Sequence, residues 1–253
     1  MITETVFTRF VWIWIGIALI LFPLLLKITA PYGRYSTKRW GLMINNRLGW
    51  FIMEFPALAV FLLFALPKAN FHNIIVLLAL FLWVVHYFHR DIIFPLRIRT
   101  AGKKMPVVIM LFAVYFNLVN GFVNGYWVGH FCPVPETDVV FFIRIISGLL
   151  LFIAGYTINR YHDRILIRLR KGNQSGYQIP YGGLFRYISC PNFFGEIIEW
   201  GGFAVLCWSM PALSFFIWTC VNLIPRALDH HKWYRESFAE YPQNRKAVIP
   251  FVL

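Results

Sequence analysis

The sequence has few acidic residues and few charged residues of either sign. Asp and Glu together number 11 among 253 residues, and all charged residues make up 14% of the chain. A soluble globular domain carries about 25% charged residues, so an ordinary soluble globule is excluded. Hydrophobic residues reach 59%, which indicates a membrane protein with several spans. The net charge of +13 does not indicate nucleic acid binding, because the basic residues lie between apolar runs.

The sequence also lacks the short motifs that mark common catalytic and nucleotide-binding sites. No GxGxxG follows a strand and no GxxxxGK[ST] is present, so a nucleotide would have to bind without a Rossmann domain or P-loop. No Ser-His-Asp or Cys-His arrangement stands in a recognisable context. The four cysteines show no CxxC spacing, which predicts neither a metal centre nor a disulfide framework.

Long apolar runs dominate what is present. The first, MITETVFTRFVWIWIGIALILF, is too long for the core of a signal peptide and lacks a following cleavage site, which predicts a span. The pattern predicts an all-α membrane protein that forms one domain over residues 1–253, without internal repeats. The seven predicted spans are 6–28, 48–66, 72–90, 105–126, 139–159, 193–209 and 211–226.

Basic residues are distributed unevenly between the two ends of these spans. The first, third and fifth loops and the C-terminal tail hold 21 of the 24 Lys and Arg residues. The positive-inside rule therefore predicts an outside N-terminus and a cytoplasmic C-terminus.

Polar residues within the spans concentrate near the basic, cytoplasmic end. They are Glu54 in the second span, His86, Tyr87 and His89 in the third, Asn159 in the fifth, and Asn192, Glu196 and Glu199 in the sixth. The three in the sixth span are spaced i, i+4 and i+7 and so share one helix face. A carboxylate in an apolar helix is costly without a partner or a ligand, so we predict a polar cavity that opens toward the cytoplasm.

Some of these residues allow a second interpretation. Hydrogen bonds between helices would also explain the polar face, with Tyr87 as the natural partner of Glu54. His86 and His89 could ligate a metal or belong to an interfacial belt, and no metal site is predicted because no third ligand is evident. Three asparagines on one face of the fourth span are expected to form hydrogen bonds between helices: Asn117, Asn120 and Asn124.

A basic segment with interleaved aromatic residues, NRYHDRILIRLRKGNQSGYQIP, follows the fifth span. It could be a surface that faces lipid headgroups, or it could receive phosphates together with the tail. We expect 160–178 and 226–246 to be polar loops that a bound polyanion would order. The candidate cations are Arg170, Lys171, Arg226, His230 and Lys232.

Two long segments carry a family resemblance. YQIPYGGLFRYISCPNFFGEIIEW at 177–200 and PRALDHHKWYRESFAEYPQNRKAVIPF at 225–251 resemble the membrane steroid 5α-reductases. The C-terminal part alone is less specific, because sterol reductases and isoprenylcysteine methyltransferases have loosely similar tails. Weaker matches extend the resemblance over most of the chain: YGRYST at 32–37, MEFPA at 53–57, LWVVHYFHRDIIFPL at 82–96 and NGFVNGYW at 120–127.

The resemblance implies a seven-helix, NADPH-dependent reductase that acts on the Δ4 double bond of a 3-oxo steroid. Hydride would go to C5 and a proton to C4, with Glu54 and Tyr87 holding the C3 carbonyl. The steroid pocket would come mainly from 1–130 and the cofactor site mainly from 159–253. The implied NADPH-binding residues are Tyr32, Lys103, Asn159, Asp163, Arg170, Tyr177, Asn192, Glu196, Arg226, His230 and Tyr234.

Two positions depart from the animal enzymes: Phe112 stands in place of an Arg, and Met53 stands in place of a Gln. Both are expected near the substrate end, which leaves the preferred steroid open. The alternatives are a related sterol or enoyl-lipid reductase, an isoprenylcysteine-type methyltransferase using S-adenosylmethionine, and a lipid-binding or transport protein. Glu54 and Tyr87 favour reduction, because methyl transfer to a thiolate needs no carbonyl clamp. We expect a monomer in the bilayer, with no nucleic acid partner, in a bacterial inner membrane rather than the endoplasmic reticulum.

Overall fold

The computed structural model describes residues 2–29, 31, 33–100, 102–169 and 176–253. The predictions made for Tyr32, Arg170 and Lys171 therefore fall outside the described residues. The helices are α1 (Glu4–Leu25), α2 (Asn46–Ala65), α3 (Ile74–Tyr87), α4 (Phe94–Arg97), α5 (Val107–His130), α6 (Val139–Leu169), α7 (Pro191–Cys207) and α8 (Met210–Ser237), and the strands are β1 (Met43–Asn45) and β2 (Lys104–Pro106).

The long helices are apolar enough to make this a helical membrane protein. The sixth predicted span, 193–209, corresponds to α7, whose 17 residues fall short of the about 20 that a straight span requires. Six stretches of the described chain meet the length and hydropathy of a span: Glu4–Leu25, Asn46–Lys68, Ile74–Arg97, Val107–His130, Val139–Leu169 and Met210–Ser237.

Two segments that the sequence predicts as polar loops are largely helical. Within 160–178, α6 continues to Leu169, and within 226–246, α8 continues to Ser237. The end of α6 contains Arg164, Leu166, Arg168 and Leu169. Arg and Leu are both good helix formers, so the charge of the arginines does not end the helix. In α8, Ala227 and Tyr234 are seven residues apart and both buried, so the packed face continues beyond the apolar part of the helix. Candidate binding residues on these segments therefore lie on helices.

Two tight turns lie before and after α7. Gly182 and Gly183 have φ values of 98° and 52°, a conformation that glycine adopts without steric cost, at the Pro-Tyr-Gly-Gly turn. Between α7 and α8, Trp208 is left-handed and the Ser209 side chain accepts a hydrogen bond from the Ala212 amide at 3.3 Å. The second turn ends α7, which carries the predicted polar face.

A short antiparallel ribbon, β1 with β2, is the one sheet in the described chain, and a single β-bridge joins Ile188 to Lys246. Ile44 pairs with Met105, and α2 and α5 begin directly after the two strands. The two helices therefore start together and run side by side. They touch through backbone, since a Cβ added to Gly125 would collide with the carbonyl of Phe61.

α6 and α7 also contact each other through glycines. A Cβ on Gly155 would collide with the backbone of Glu199, and one on Gly195 would collide with the backbone of Asn159. Close approach through small residues is a common way to pack helices in a membrane. The polar residues of both helices are thus positioned by direct backbone contact.

Gly155→Ala is expected to lower stability by about 1–3 kcal/mol, because the added methyl group has no space. Thermal unfolding in detergent, followed by intrinsic fluorescence, measures this loss. Gly16→Ala is the matched control, since a Cβ at Gly16 in α1 meets nothing within 4 Å. Equal melting temperatures for the two variants would contradict the close packing of α6 and α7.

Candidate active site

Two carboxylates predicted at one depth, Glu54 and Glu196, lie around the guanidinium group of Arg90 together with Asp163. Its Nε lies 3.6 Å from Glu54 Oε1, and its Nη1 lies 4.0 Å from Asp163 Oδ2. Its Nη2 lies 3.9 Å from Glu196 Oε2. One cation thus connects carboxylates from α2, α6 and α7, and its own side chain is only 16% exposed.

Arg90 reaches this position from a π-helical turn, Phe88–Ile93, between α3 and α4. Such wide turns inside helices are frequent at functional sites. The guanidinium carbon lies 4.6 Å from the centre of the Trp50 ring and 5.2 Å from that of Phe94, so aromatic rings hold it in place. Sequence reasoning left the HYFHR motif at 86–90 open between an interfacial belt and a metal site, and it missed this role of Arg90. The sequence did indicate this role in one way. Arg90 lies three residues after Tyr87, at the end of the third span near which the carboxylates of the other spans are predicted.

Asn117 from α5 completes the surroundings of Glu54. Its Nδ2 donates to the Met53 carbonyl at 2.6 Å and to Glu54 Oε2 at 3.4 Å. This confirms the expected hydrogen bond between helices for Asn117. The same expectation is wrong for Asn124, whose Nδ2 donates within α5 to Asn120 Oδ1 at 3.0 Å.

Tyr87 is 3% exposed, and its ring packs among other aromatic rings. The centres of the Trp83 and His86 rings both lie 5.0 Å from that of Tyr87. Glu54 is held by Asn117 and Arg90, so the interpretation of Tyr87 as its structural partner is replaced by these contacts. The Tyr87 hydroxyl is therefore not committed to Glu54 in this structure.

Amide and carboxylate groups of α6 and α7 interlock beside Arg90. Asn159 Nδ2 donates to the Asn192 carbonyl at 3.0 Å and to Glu196 Oε2 at 3.2 Å. Asn192 Nδ2 donates to Asp163 Oδ1 at 3.0 Å. The i, i+4 spacing on each helix brings four predicted cofactor-binding residues into one polar surface.

Glu199 lies apart from this surface, although it was predicted on the same face. Its Oε1 is 2.6 Å from His86 Nδ1, and both residues are buried. The polar face of α7 borders both α6 and α3. Glu196 faces α6, whereas Glu199, about one turn further along the helix, faces α3. Sequence reasoning missed this contact between His86 and a carboxylate. Within the described ranges, no group of three His, Cys, Asp or Glu residues is arranged to hold a metal ion.

A cavity of about 500 Å³ adjoins the polar surface on the basic side. It combines cations with aromatic rings, and Asp163 and Asn192 lie on its wall as well as in the polar surface. The predicted cofactor-binding residues that line it are Lys103, Asp163, Tyr177, Asn192, Arg226, His230 and Tyr234.

Arg34 also lines this cavity and was missed by sequence reasoning, although it lies in the YGRYST segment. Its guanidinium carbon lies 4.1 Å from the centre of the Trp233 ring, and its Nη2 donates to the Tyr234 hydroxyl at 3.3 Å. Nearby, Lys103 Nζ donates to the Tyr177 hydroxyl at 2.8 Å. Two cations from separate loops are thus positioned by aromatic side chains.

Two titratable groups at the edge of the cavity remain protonated near neutral pH. Burial raises the pKa of Tyr35 to about 12, and its hydroxyl donates to the Asp229 carbonyl at 2.9 Å. Burial likewise raises the pKa of Cys190 to about 12, so this thiol is a poor nucleophile. The chemistry of the site therefore rests on carboxyl, phenol, amide and guanidinium groups.

The two departures from the animal enzymes lie in different surroundings. Met53 is buried beside Glu54 and packs against Met105 and Met110. Phe112 is 64% exposed on α5.

A cationic cavity that shares residues with a buried acid and amide cluster defines a helical membrane protein suited to a polyanionic ligand. Comparison of the sequence with known proteins identifies the family. The family model described as 3-oxo-5-alpha-steroid 4-dehydrogenase matches residues 103–253. Glu54 and Tyr87 precede the matched segment.

Curated relatives match over nearly the whole chain. Steroid 5-alpha-reductase DET2 of Arabidopsis thaliana is 45% identical over 235 residues, 90% of each chain. The protein of the same name from Solanum lycopersicum is 41% identical over 254 residues, 98% of each chain. 3-oxo-5-alpha-steroid 4-dehydrogenase 1 of Rattus norvegicus is 41% identical over 232 residues, 90% of this chain and 88% of the rat protein. This chain therefore belongs to the steroid 5α-reductase family of oxidoreductases, which confirms the resemblance.

Proposed function

We propose that this protein uses NADPH to reduce the Δ4 double bond of a 3-oxo steroid, yielding the 5α-reduced 3-oxo steroid. Family membership supports the reaction class. The structural observation that carries the proposal is the Arg90-centred cluster, which joins Glu54 on α2 to Glu196 on α7. In this proposal, the cluster would bring a substrate-side group and a cofactor-side group to one reacting centre.

The cavity residues fit a nicotinamide dinucleotide. Arg34 Nη1 and His230 Nδ1 are buried without a hydrogen-bond partner in the described part of the chain, and both line the cavity. Buried polar atoms normally have partners, so a phosphate oxygen from a ligand would satisfy the arginine. Arg34, Lys103 and Arg226 would hold the phosphates, while Asn192 and Glu196 would bind the nicotinamide half. Tyr32 and Arg170 are assigned to this site on the resemblance alone.

NADPH, when bound, would supply the hydride. As C5 is reduced, negative charge develops on the C3 oxygen of the steroid. Tyr87 would donate its phenolic hydrogen to that oxygen, and Glu54 would donate in its protonated form. Donors already aimed at the developing charge lower the barrier, because they bind it more strongly than the ground-state carbonyl. Arg90 and Asn117 would keep the Glu54 carboxyl oriented, and the aromatic rings around Tyr87 would exclude water.

In the bilayer, we propose seven spans with α7 as the sixth, an outside N-terminus and a cytoplasmic C-terminus. The basic side, which contains the cofactor cavity, would then face cytoplasmic NADPH. Labelling of a cysteine placed at Arg186, applied from either side, tests this orientation. The relatives named above are plant and mammalian proteins, so they do not support a bacterial inner membrane. We propose a monomer as the active unit.

NADPH oxidation by the purified protein tests the proposed reaction. Progesterone, testosterone, androstenedione and an enoyl lipid are the substrates to compare, with the product identified by chromatography against 5α and 5β standards. A 5α-reduced steroid is the expected product. Turnover of the enoyl lipid alone would favour the related lipid reductase, and no oxidation with any substrate would refute a reductase.

Arg226→Ala is expected to raise the NADPH dissociation constant about ten- to a hundredfold, because a charged phosphate contact contributes about 1.5–3 kcal/mol. Equilibrium binding, followed by NADPH fluorescence, measures the change. Arg186→Ala removes the same charge from an exposed residue outside the cavity and should bind normally. Unchanged affinity in folded Arg226→Ala protein would remove Arg226 from the phosphate site.

A further inference from the structure

A second cationic groove, of about 850 Å³, lies on the basic side next to the cofactor cavity. Its arginines come from the first turn of α2, from the end of α4 with the segment after it, and from the last turns of α6. They are Arg47, Arg97, Arg99, Arg164 and Arg168. The other lining residues, none of them acidic, are Leu96, Thr100, Gly102 and Ile167.

Three arginines of this groove have no acidic partner among the described residues. Arg97, Arg164 and Arg168 are exposed, and no carboxylate of the described residues lies within salt-bridge distance of them. Arg47 donates from Nε and Nη2 to the Ile98 carbonyl at 3.1 and 2.9 Å, so its guanidinium is held at the wall of the groove. Guanidinium groups brought together in this way repel one another unless an anion binds between them.

The groove also has an apolar rim. Leu96, one of its lining residues, is 73% exposed, and Leu48, next to Arg47, is 50% exposed. Both lie near ends of membrane-spanning helices, where headgroups meet acyl chains. A small soluble anion would need only the arginines, whereas a phospholipid would use the arginines for its phosphate and the leucines for its chains.

We propose that this groove binds the headgroup of an anionic phospholipid from the leaflet on the basic side of the protein. The site is distinct from the cofactor cavity. The two share Arg99, Thr100 and Ile167 as a common wall, but Arg97 and Arg168 belong to the groove alone. Basic residues near a membrane surface each contribute about 1 kcal/mol toward anionic lipid, or roughly fivefold in affinity.

Native mass spectrometry of the full chain, purified with equal amounts of phosphatidylglycerol and phosphatidylcholine, tests the proposal. Wild-type protein is expected to retain one phosphatidylglycerol in preference to phosphatidylcholine. The Arg97→Gln/Arg168→Gln variant is expected to bind phosphatidylglycerol roughly 25-fold more weakly. The Arg39→Gln/Arg186→Gln variant loses the same charge at exposed positions outside the groove and should retain the lipid.

Four results would overturn the proposal. Equal retention of the two lipids by wild-type protein would do so whether or not the variants fold. Equal loss in the two double variants would show attraction by net charge alone. Displacement of phosphatidylglycerol by millimolar inorganic phosphate would identify a site for a soluble anion. A raised NADPH dissociation constant in Arg97→Gln/Arg168→Gln would make the groove part of the cofactor site.

Discussion

Tyr87→Phe and Glu54→Leu are each expected to slow the chemical step about a hundred- to a thousandfold, with NADPH affinity near that of the wild type. Removal of one preorganised donor to a developing oxyanion typically costs this much in rate. Neither side chain lines the cationic cavity, so cofactor binding should be spared. Glu54→Gln should be milder, because an amide still donates a hydrogen bond to the C3 oxygen.

Single-turnover loss of NADPH absorbance, at saturating steroid, measures the chemical step separately from product release. Tyr126→Phe is the matched control, since Tyr126 is also buried but its hydroxyl accepts from the Ile2 amide at 3.0 Å, away from the site. The control should keep the wild-type rate. If Tyr87→Phe and Glu54→Leu both react at near-normal rates, the carbonyl is held by other donors.

Arg90→Leu is expected to have the largest effect on stability. It leaves the carboxylates of Glu54, Asp163 and Glu196 close together without their shared cation. Removal of one partner from a buried ionic network costs about 3–5 kcal/mol. For a chain of this size that loss lowers the melting temperature by about 6–20 °C.

Thermal unfolding of Arg90→Leu and of the double variant Arg90→Leu/Glu54→Leu tests the shared-cation interpretation. Because the double variant has one fewer uncompensated carboxylate, its loss of stability should be smaller than the sum of the two single losses. Arg90→Lys should lie between Arg90→Leu and wild type, since an ammonium keeps the charge but cannot span three carboxylates. Strictly additive losses would show that Arg90 and Glu54 do not interact.

The sequence predicted those parts of the site that follow regular helical spacing. Asn192 and Glu196 were predicted on one face of α7 by their i, i+4 spacing. Asp163, four residues after Asn159 on α6, was assigned by the family resemblance, and the two helices bring all four residues together. Arg90 could not be positioned in this way, because the π-helical turn that contains it departs from the 3.6-residue period.

Charge was a poor guide to where helices end. The basic residues after Asn159 and around Arg226 mark the boundary of the apolar part of each helix, and they were taken as the start of loops. Both helices continue well past that boundary. In a membrane protein, the loss of apolar character limits the part of a helix that lies in lipid, whereas the helix itself ends where capping and packing end it.

The ribbon of β1 and β2 gives α2 and α5 a common origin. Glu54 lies eight residues after the first residue of α2, and Asn117 lies ten residues after the first residue of α5. The positions of both side chains along their helices therefore depend on the same pair of strands. A single residue inserted between the ribbon and Glu54 would shift the carboxylate about 1.5 Å along the axis and about 100° around it. Over 43–54, this protein should therefore tolerate a change of side chain more readily than a change of chain length.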